Sequence, residues 1–140
     1  MEAKDPKYRE HLEAMFSKAN FIRHLGAELI DAGPGWCETA LSVRPEHLQQ
    51  DDLVHAGVLA TLADHTAGCA SGTVSEPDHI VLTAEFKINF LRPAVGQRLR
   101  CRAEVLKPGR RLIVAESAVH AVNDGVEKLA AKAMLTLAVL

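Results

Sequence analysis

The sequence is short of several things, and each shortage closes a route. It has three cysteines, Cys37, Cys69 and Cys101, in 140 residues. Their number is odd and their spacing wide, so they suggest neither a disulfide framework nor a paired-cysteine metal site. The expected setting is a reducing cytoplasm. There is no surplus of either charge: 16 Lys and Arg stand against 18 Asp and Glu, a formal net charge of −2. Nothing in that balance calls for nucleic acid as a partner. No apolar run approaches the roughly 20 residues needed to span a bilayer, so no membrane is expected. Met1 to Lys7 is charged and lacks the apolar centre of a secretory signal. There is no internal repeat, low-complexity tract or dividing linker, and residues 1–140 read as a single domain. Aromatic residues are only 4% of the chain, which does not exclude an aromatic substrate.

What is present is clear periodicity. Tyr8, Leu12, Met15 and Phe16 recur at helical spacing, predicting one helix from about Pro6 to Arg23, ended near Gly26. Ala27 to Ala32 and Trp36 to Val43 read as strands joined by the Gly33-Pro34-Gly35 turn. A polar loop follows, from Glu46 to Asp52. From His55 to about Ser71 the chain is apolar on most sides of a helix, the mark of a buried one. Four strands come next. The first, Leu82 to Phe90, alternates Leu82, Ala84, Phe86, Ile88 and Phe90 with polar residues. Arg98 to Leu106, Leu112 to Val122 and Leu129 to Leu140 complete the set, with Asn123-Asp124-Gly125 as a hairpin signal. A curled antiparallel sheet around one buried helix, with an extra N-terminal helix, satisfies this order: an α+β hotdog arrangement.

Asp64 is the only carboxylate in the apolar helix. Burying an isolated carboxylate costs several kcal/mol, so its presence points to function rather than stability. His55-Ala56-Gly57 opens the same helix, where backbone N–H groups lack internal partners and carry partial positive charge. Such a terminus can hold a developing oxyanion, although a His-Ala-Gly triplet is also an ordinary helix start. Ala56 and Asp64 are eight residues apart, about 12 Å along a helix axis. One small carbonyl cannot touch both, so joint action on it requires two subunits related by a two-fold axis.

Residues His55 to Asp64, His-Ala-Gly-Val-Leu-Ala-Thr-Leu-Ala-Asp, resemble the His-Gly-Gly-x-x-x-x-Leu-x-Asp motif of hotdog thioesterases of the phenylacetate-degradation type. Lys87-Ile-Asn-Phe-Leu-Arg-Pro93, the following Gly96 and the Arg110-Arg111 pair are similar to the same family. The resemblance covers roughly residues 20 to 140. It implies hydrolysis of acyl-CoA without metal or cofactor, coenzyme A being part of the substrate, in dimers that pair into tetramers. It places the general base or nucleophile on Asp64, the oxyanion donor on the backbone N–H of Ala56, and open backbone at Gly57. The family's water-orienting Asn falls on Gln49, and its strand Ser or Thr on Thr83. Arginine suits phosphate, so Arg110, Arg111 and Arg92 are candidates for the coenzyme A nucleotide, although for any single one of them solvated surface charge is the commoner role.

Two other readings compete. A hotdog hydratase or dehydratase would pair a histidine with a carboxylate for proton transfer, but His55 lacks the proline-rich surroundings of the dehydratases. A non-catalytic acyl-CoA sensor would have no use for a buried base, and the first 25 residues have no room for a helix-turn-helix. No other histidine has metal-ligand spacing; His65, next to Asp64, is expected to point elsewhere and to be structural.

Overall fold

A computed structural model describes all 140 residues. Two short helices, α1 (Tyr8–Lys18) and α2 (Asn20–Leu25), lead into the β1 (Ala27–Gly33) and β2 (Trp36–Ser42) hairpin. After a 3₁₀ turn at Pro45–His47 comes α3 (Ala56–Gly72). Strands β3 (Val81–Phe90), β4 (Arg98–Pro108), β5 (Leu112–Asn123) and β6 (Val126–Val139) finish the chain. This is the α+β hotdog arrangement, with one difference: the single N-terminal helix expected over Pro6 to Arg23 is two. Ala19 leaves the helical region at φ −75° and ψ 87°. On an unbroken helix Phe16 and Ile22 would point about 120° apart. The break lets both turn inward, Phe16 onto His65 and Ile22 into a buried position. Gly26, at φ 80°, then closes α2 in the left-handed conformation that glycine adopts without strain.

All six strands are antiparallel, in the order β1-β2-β4-β5-β6-β3. Because β2 and β3 lie far apart in that order, the connection carrying α3 must cross the sheet. The helix therefore lies against the concave face. Alternate residues of β5, from Ile113 to Ala121, are buried against it, as are Leu99, Cys101 and Ala103 of β4. Alanines at 63, 67 and 70 let the helix sit close to the sheet. Full burial of a leucine such as Leu62 or Leu135 contributes roughly 1.5–3 kcal/mol. Two polar pins set the helix position. Ser117 Oγ donates to the Ala63 carbonyl at 2.7 Å, and the Thr39 and Thr66 hydroxyls meet at 2.6 Å.

The convex face carries interlocked charges. Arg102 pairs with Glu38 and Glu104 and stacks over Trp36 at 4.0 Å, while Arg100 pairs with Glu38 and Glu127. The two edges of the sheet differ. At β1 a register shift between Leu29 and Asp31 bends the edge, and Arg9 of α1 ties down both Asp31 and the Ala32 carbonyl. At β3 nothing covers the outer edge, and Leu82, Phe86 and Phe90 are exposed. No helix is long and apolar enough to cross a membrane.

Candidate active site

The loop before α3 sets the start of the helix. His47 is buried; its Nδ1 accepts from Arg44 N–H at 2.9 Å, and its Nε2 donates to the Leu25 carbonyl at 2.8 Å. The His47 carbonyl then accepts from His55 N–H at 2.8 Å. Sequence reading missed this role, because one partner of the ring, the Leu25 carbonyl, lies 22 residues away. His55 caps the helix: with φ −60° and ψ 136° it stands outside the helical region, and its Nδ1 accepts from Gly57 N–H at 2.8 Å. A Cβ on Gly57 would come within 3.0 Å of that ring nitrogen, so the cap itself accounts for this glycine. The His55 carbonyl accepts from Val58 N–H. Ala56 N–H is left exposed and without a partner in the chain. This is an oriented donor at the positive end of a 17-residue helix.

Gln49 stays with its own loop, where its side-chain oxygen accepts from Asp51 N–H and its backbone N–H bonds the Leu53 carbonyl. Within one copy of the chain it does not meet Asp64. The predicted residues thus fall into two groups. Gln49, His55, Ala56 and Gly57 gather at the helix start. Asp64 and Thr83 meet about 12 Å further along the axis.

Asp64 is half-buried, neither sealed in the core nor on a fully exposed strip. Its Oδ1 accepts from Thr83 Oγ1 of β3 at 2.7 Å, and its other oxygen has no partner within the chain. Thr83 therefore fixes the carboxylate itself, leaving the other oxygen free. Asp64 opens on a cavity of about 610 Å³. One wall of the cavity is the start of β3, its floor is the second half of α3, and α1 roofs it with Tyr8, Leu12 and Met15. The helices run antiparallel. The Phe16 and His65 rings meet edge to face at 4.8 Å near Asp64, and Lys4 pairs with Glu76 at 3.3 Å beyond the other end of α3.

His65 lines this same cavity, beside Asp64 rather than away from it. Burial lowers its pKa below the ordinary value, although the Asp64 charge opposes the shift. Its Nε2 is sealed from solvent without a partner. Gly68 and Gly72, four and eight residues after Asp64, face the cavity, and a Cβ on either would meet nothing within 4 Å. Gly68, inside the helix, is about 1 kcal/mol less favourable there than alanine, whereas Gly72 is the last residue of α3; close packing explains neither. Their spacing from Asp64 was the readable signal for this cavity.

The three thiols are buried and free. Burial pushes Cys101 to about 12, and Cys69 is raised by its hydrogen bond with Cys37 and by burial, so neither is a thiolate at neutral pH. No three His, Cys, Asp or Glu side chains converge as metal ligands do. Arg110 and Arg111 lie exposed in the β4–β5 turn, and Arg92 lies exposed just past β3. None of the three enters an ion pair. The β4–β5 turn adjoins the Val81 end of β3, so the two arginine sites in one copy are separated by that strand's length, about 30 Å.

Residues 52–128 match the family model described as the thioesterase superfamily. Acyl-coenzyme A thioesterase 13 of Homo sapiens is 32% identical over 126 residues, covering 89% of this chain and 88% of the human protein. The crystal structure of a thioesterase family protein from Silicibacter pomeroyi superposes with a TM-score of 0.93 at 38% identity, over 95% of this chain and 98% of that one. The E. coli PaaI protein from the phenylacetic acid degradation operon shares the fold, with a TM-score of 0.86 at 22% identity over 99% of this chain and 96% of its own.

Proposed function

This chain belongs to the thioesterase superfamily and is a thioester hydrolase, and from that premise we propose that it hydrolyses acyl-CoA at sites shared between two copies of the chain. The observation that carries this reading is the division of the machinery on α3. The Thr83-held carboxylate of Asp64 and the free Ala56 N–H lie on one helix, too far apart for one carbonyl. The bare β3 edge supplies the remedy. Antiparallel pairing of β3 with its symmetry mate covers Phe86 and Phe90 and extends the sheet across two copies. Val54 N–H bonds the Ala94 carbonyl, so the start of α3 lies near the Phe90 end of β3, whereas Asp64 lies near the Val81 end. Reversal of the strand in the second copy brings each helix start towards the other copy's Asp64. The same operation brings Arg92 of one copy towards Arg110 and Arg111 of the other. We assign these three to the coenzyme A phosphates, with the dimer as the minimal unit and paired dimers as the expected assembly.

In the reaction so assembled, the thioester oxygen accepts from Ala56 N–H of one copy. His55 keeps that N–H aimed by capping the helix. The free oxygen of Asp64 in the other copy takes a proton from water as the water oxygen attacks the carbonyl carbon. Collapse breaks the C–S bond, and the thiolate takes the proton back from Asp64, giving free acid and CoA. Direct attack by the same oxygen gives an acyl–aspartyl anhydride that water then opens. Single-turnover hydrolysis in ¹⁸O-water separates the routes, because only direct attack leaves an enzyme oxygen in the first product. Gln49, at the mouth of the helix start, is assigned to water orientation across the interface. The oxyanion donor lowers the barrier by about 3 kcal/mol.

The test is subunit complementation. Ala56→Pro deletes only the N–H: proline suits the first helical position, and His55 already has the extended backbone that precedes proline. Ala56→Pro and Asp64→Asn are each expected alone to keep only about a hundredth of wild-type turnover or less. Mixed by co-refolding, they form heterodimers with one intact site, restoring about a quarter of wild-type activity if chains pair at random. No recovery in a mixture shown to contain heterodimers would place both groups in one chain and end this reading.

A further inference from the structure

The hydrolytic reading leaves the acyl group unnamed, and the cavity beside Asp64 bears on it. Its axis follows α3 away from the carboxylate: Gly68 lies about 6 Å along, and Gly72 about 12 Å. Along this length the exposed wall is mostly apolar, with Leu12 and Met15 above and Ile80 and Leu82 at the side, although His65 and His79 also line it. Beyond Gly72 the character changes. Asp5, buried, accepts from His11 Nδ1 at 2.6 Å, and Lys4 pairs with Glu76 at 3.3 Å. These groups close the trough with charge. An apolar tail that reached them would strip water from ions and gain no hydrogen bond in return.

We propose that this trough is the acyl site, that it takes an extended apolar tail, straight-chain or single-ring, and that α1 with Gly68 and Gly72 sets the tail length. The glycines keep the floor open at two depths, and the Asp5–His11 and Lys4–Glu76 pairs mark the end of the ruler. Continuity with Asp64 selects the occupant, because a thioester carbon at the carboxylate leaves its acyl tail, not water, to fill an apolar trough of this shape. The inference rests on the hydrolytic reading for its thioester.

The experiment measures kcat/KM for saturated acyl-CoAs from acetyl to palmitoyl, with phenylacetyl-CoA, in wild type, Gly68→Leu and Gly72→Leu. Calorimetric binding of the matching non-hydrolysable acyl-CoA thioethers runs beside it. The wild type is expected to favour middle lengths. Gly72→Leu lowers long tails at least tenfold relative to short ones, and Gly68→Leu moves that cutoff to shorter tails. Gly68→Ala, with helix propensity in its favour, melts higher than wild type while losing the longest tails, which a packing role for the glycine does not allow. An equal loss on every length including acetyl, or an unchanged profile in both leucine variants, overturns the trough. A wild type that binds thioethers with the expected length profile but turns over none of the esters keeps the trough and sinks the hydrolysis.

Discussion

The first turn of α3 and its later turns share one backbone and little else. The start is exposed, built from His55, Ala56 and Gly57, and its assets are main-chain donors held by a side-chain cap. The later turns are packed on the sheet, carry the only acid of the helix, and border an apolar cavity. In the proposed reaction each half has what the other lacks. Eight residues of helix keep them apart more firmly than any loop would. In the proposed dimer, a rigid separation of this kind makes the second copy a component rather than an accessory, because bending the helix to join the halves would break its hydrogen bonds.

Changes in each half can break this contrast. The largest effect is expected at the acid. Asp64→Asn removes the charge while preserving shape, and should lower kcat at least about a hundredfold in a protein that still folds, read by thiol release. Ala56→Pro, at the other end, should cost about a hundredfold in kcat through the lost donor. A loss in KM alone would mean that the helix start binds substrate without stabilising charge. Thr83→Val sharpens the later half. With Asp64 no longer held in place by its hydrogen bond, about a tenfold fall in kcat with little change in KM is expected, read by thiol release.

The smallest effect concerns His65. Its folded pKa lies below the ordinary value of 6.5, so the unfolded chain takes up the proton more readily. Its contribution is therefore whole above about pH 6.5 and declines as pH falls towards the depressed folded value. His65→Leu should flatten that part of the melting temperature against pH curve and leave the neutral plateau nearly unchanged. An unaltered acid slope would assign it to another group.

Much of this contrast was legible in the chain itself. The buried helix and the strands announce themselves because periodicity is local, and the eight-residue spacing of Ala56 and Asp64 is arithmetic. The Asp64–Thr83 pairing was within reach only through the family motif, since 19 residues separate the two and a strand must cross the sheet to join them. The break at Ala19 was invisible, because it answers to where Phe16 and Ile22 must go rather than to any breaker in the sequence. Placement of β3 at the edge was hidden for a similar reason: its alternation describes a half-buried strand and does not say which neighbour will bury it. The cavity depends on where α1 lands. Two glycines in an otherwise apolar helix were the one local hint of it, and they pass easily for packing residues.

The bare β3 edge also has a consequence in time. If the proposed dimer forms through this edge, a newly folded copy presents a ten-residue strand with open hydrogen-bonding groups and exposed phenylalanines until it meets its partner. During that interval any other extended chain is a competitor for the edge, and the interval lengthens as the protein becomes scarcer. Glu85, Lys87 and Asn89, alternating with the apolar residues along this strand, hold charge and water beside the edge. They slow a wrong encounter without blocking the right one, whose matching strand carries the same charges in reverse order.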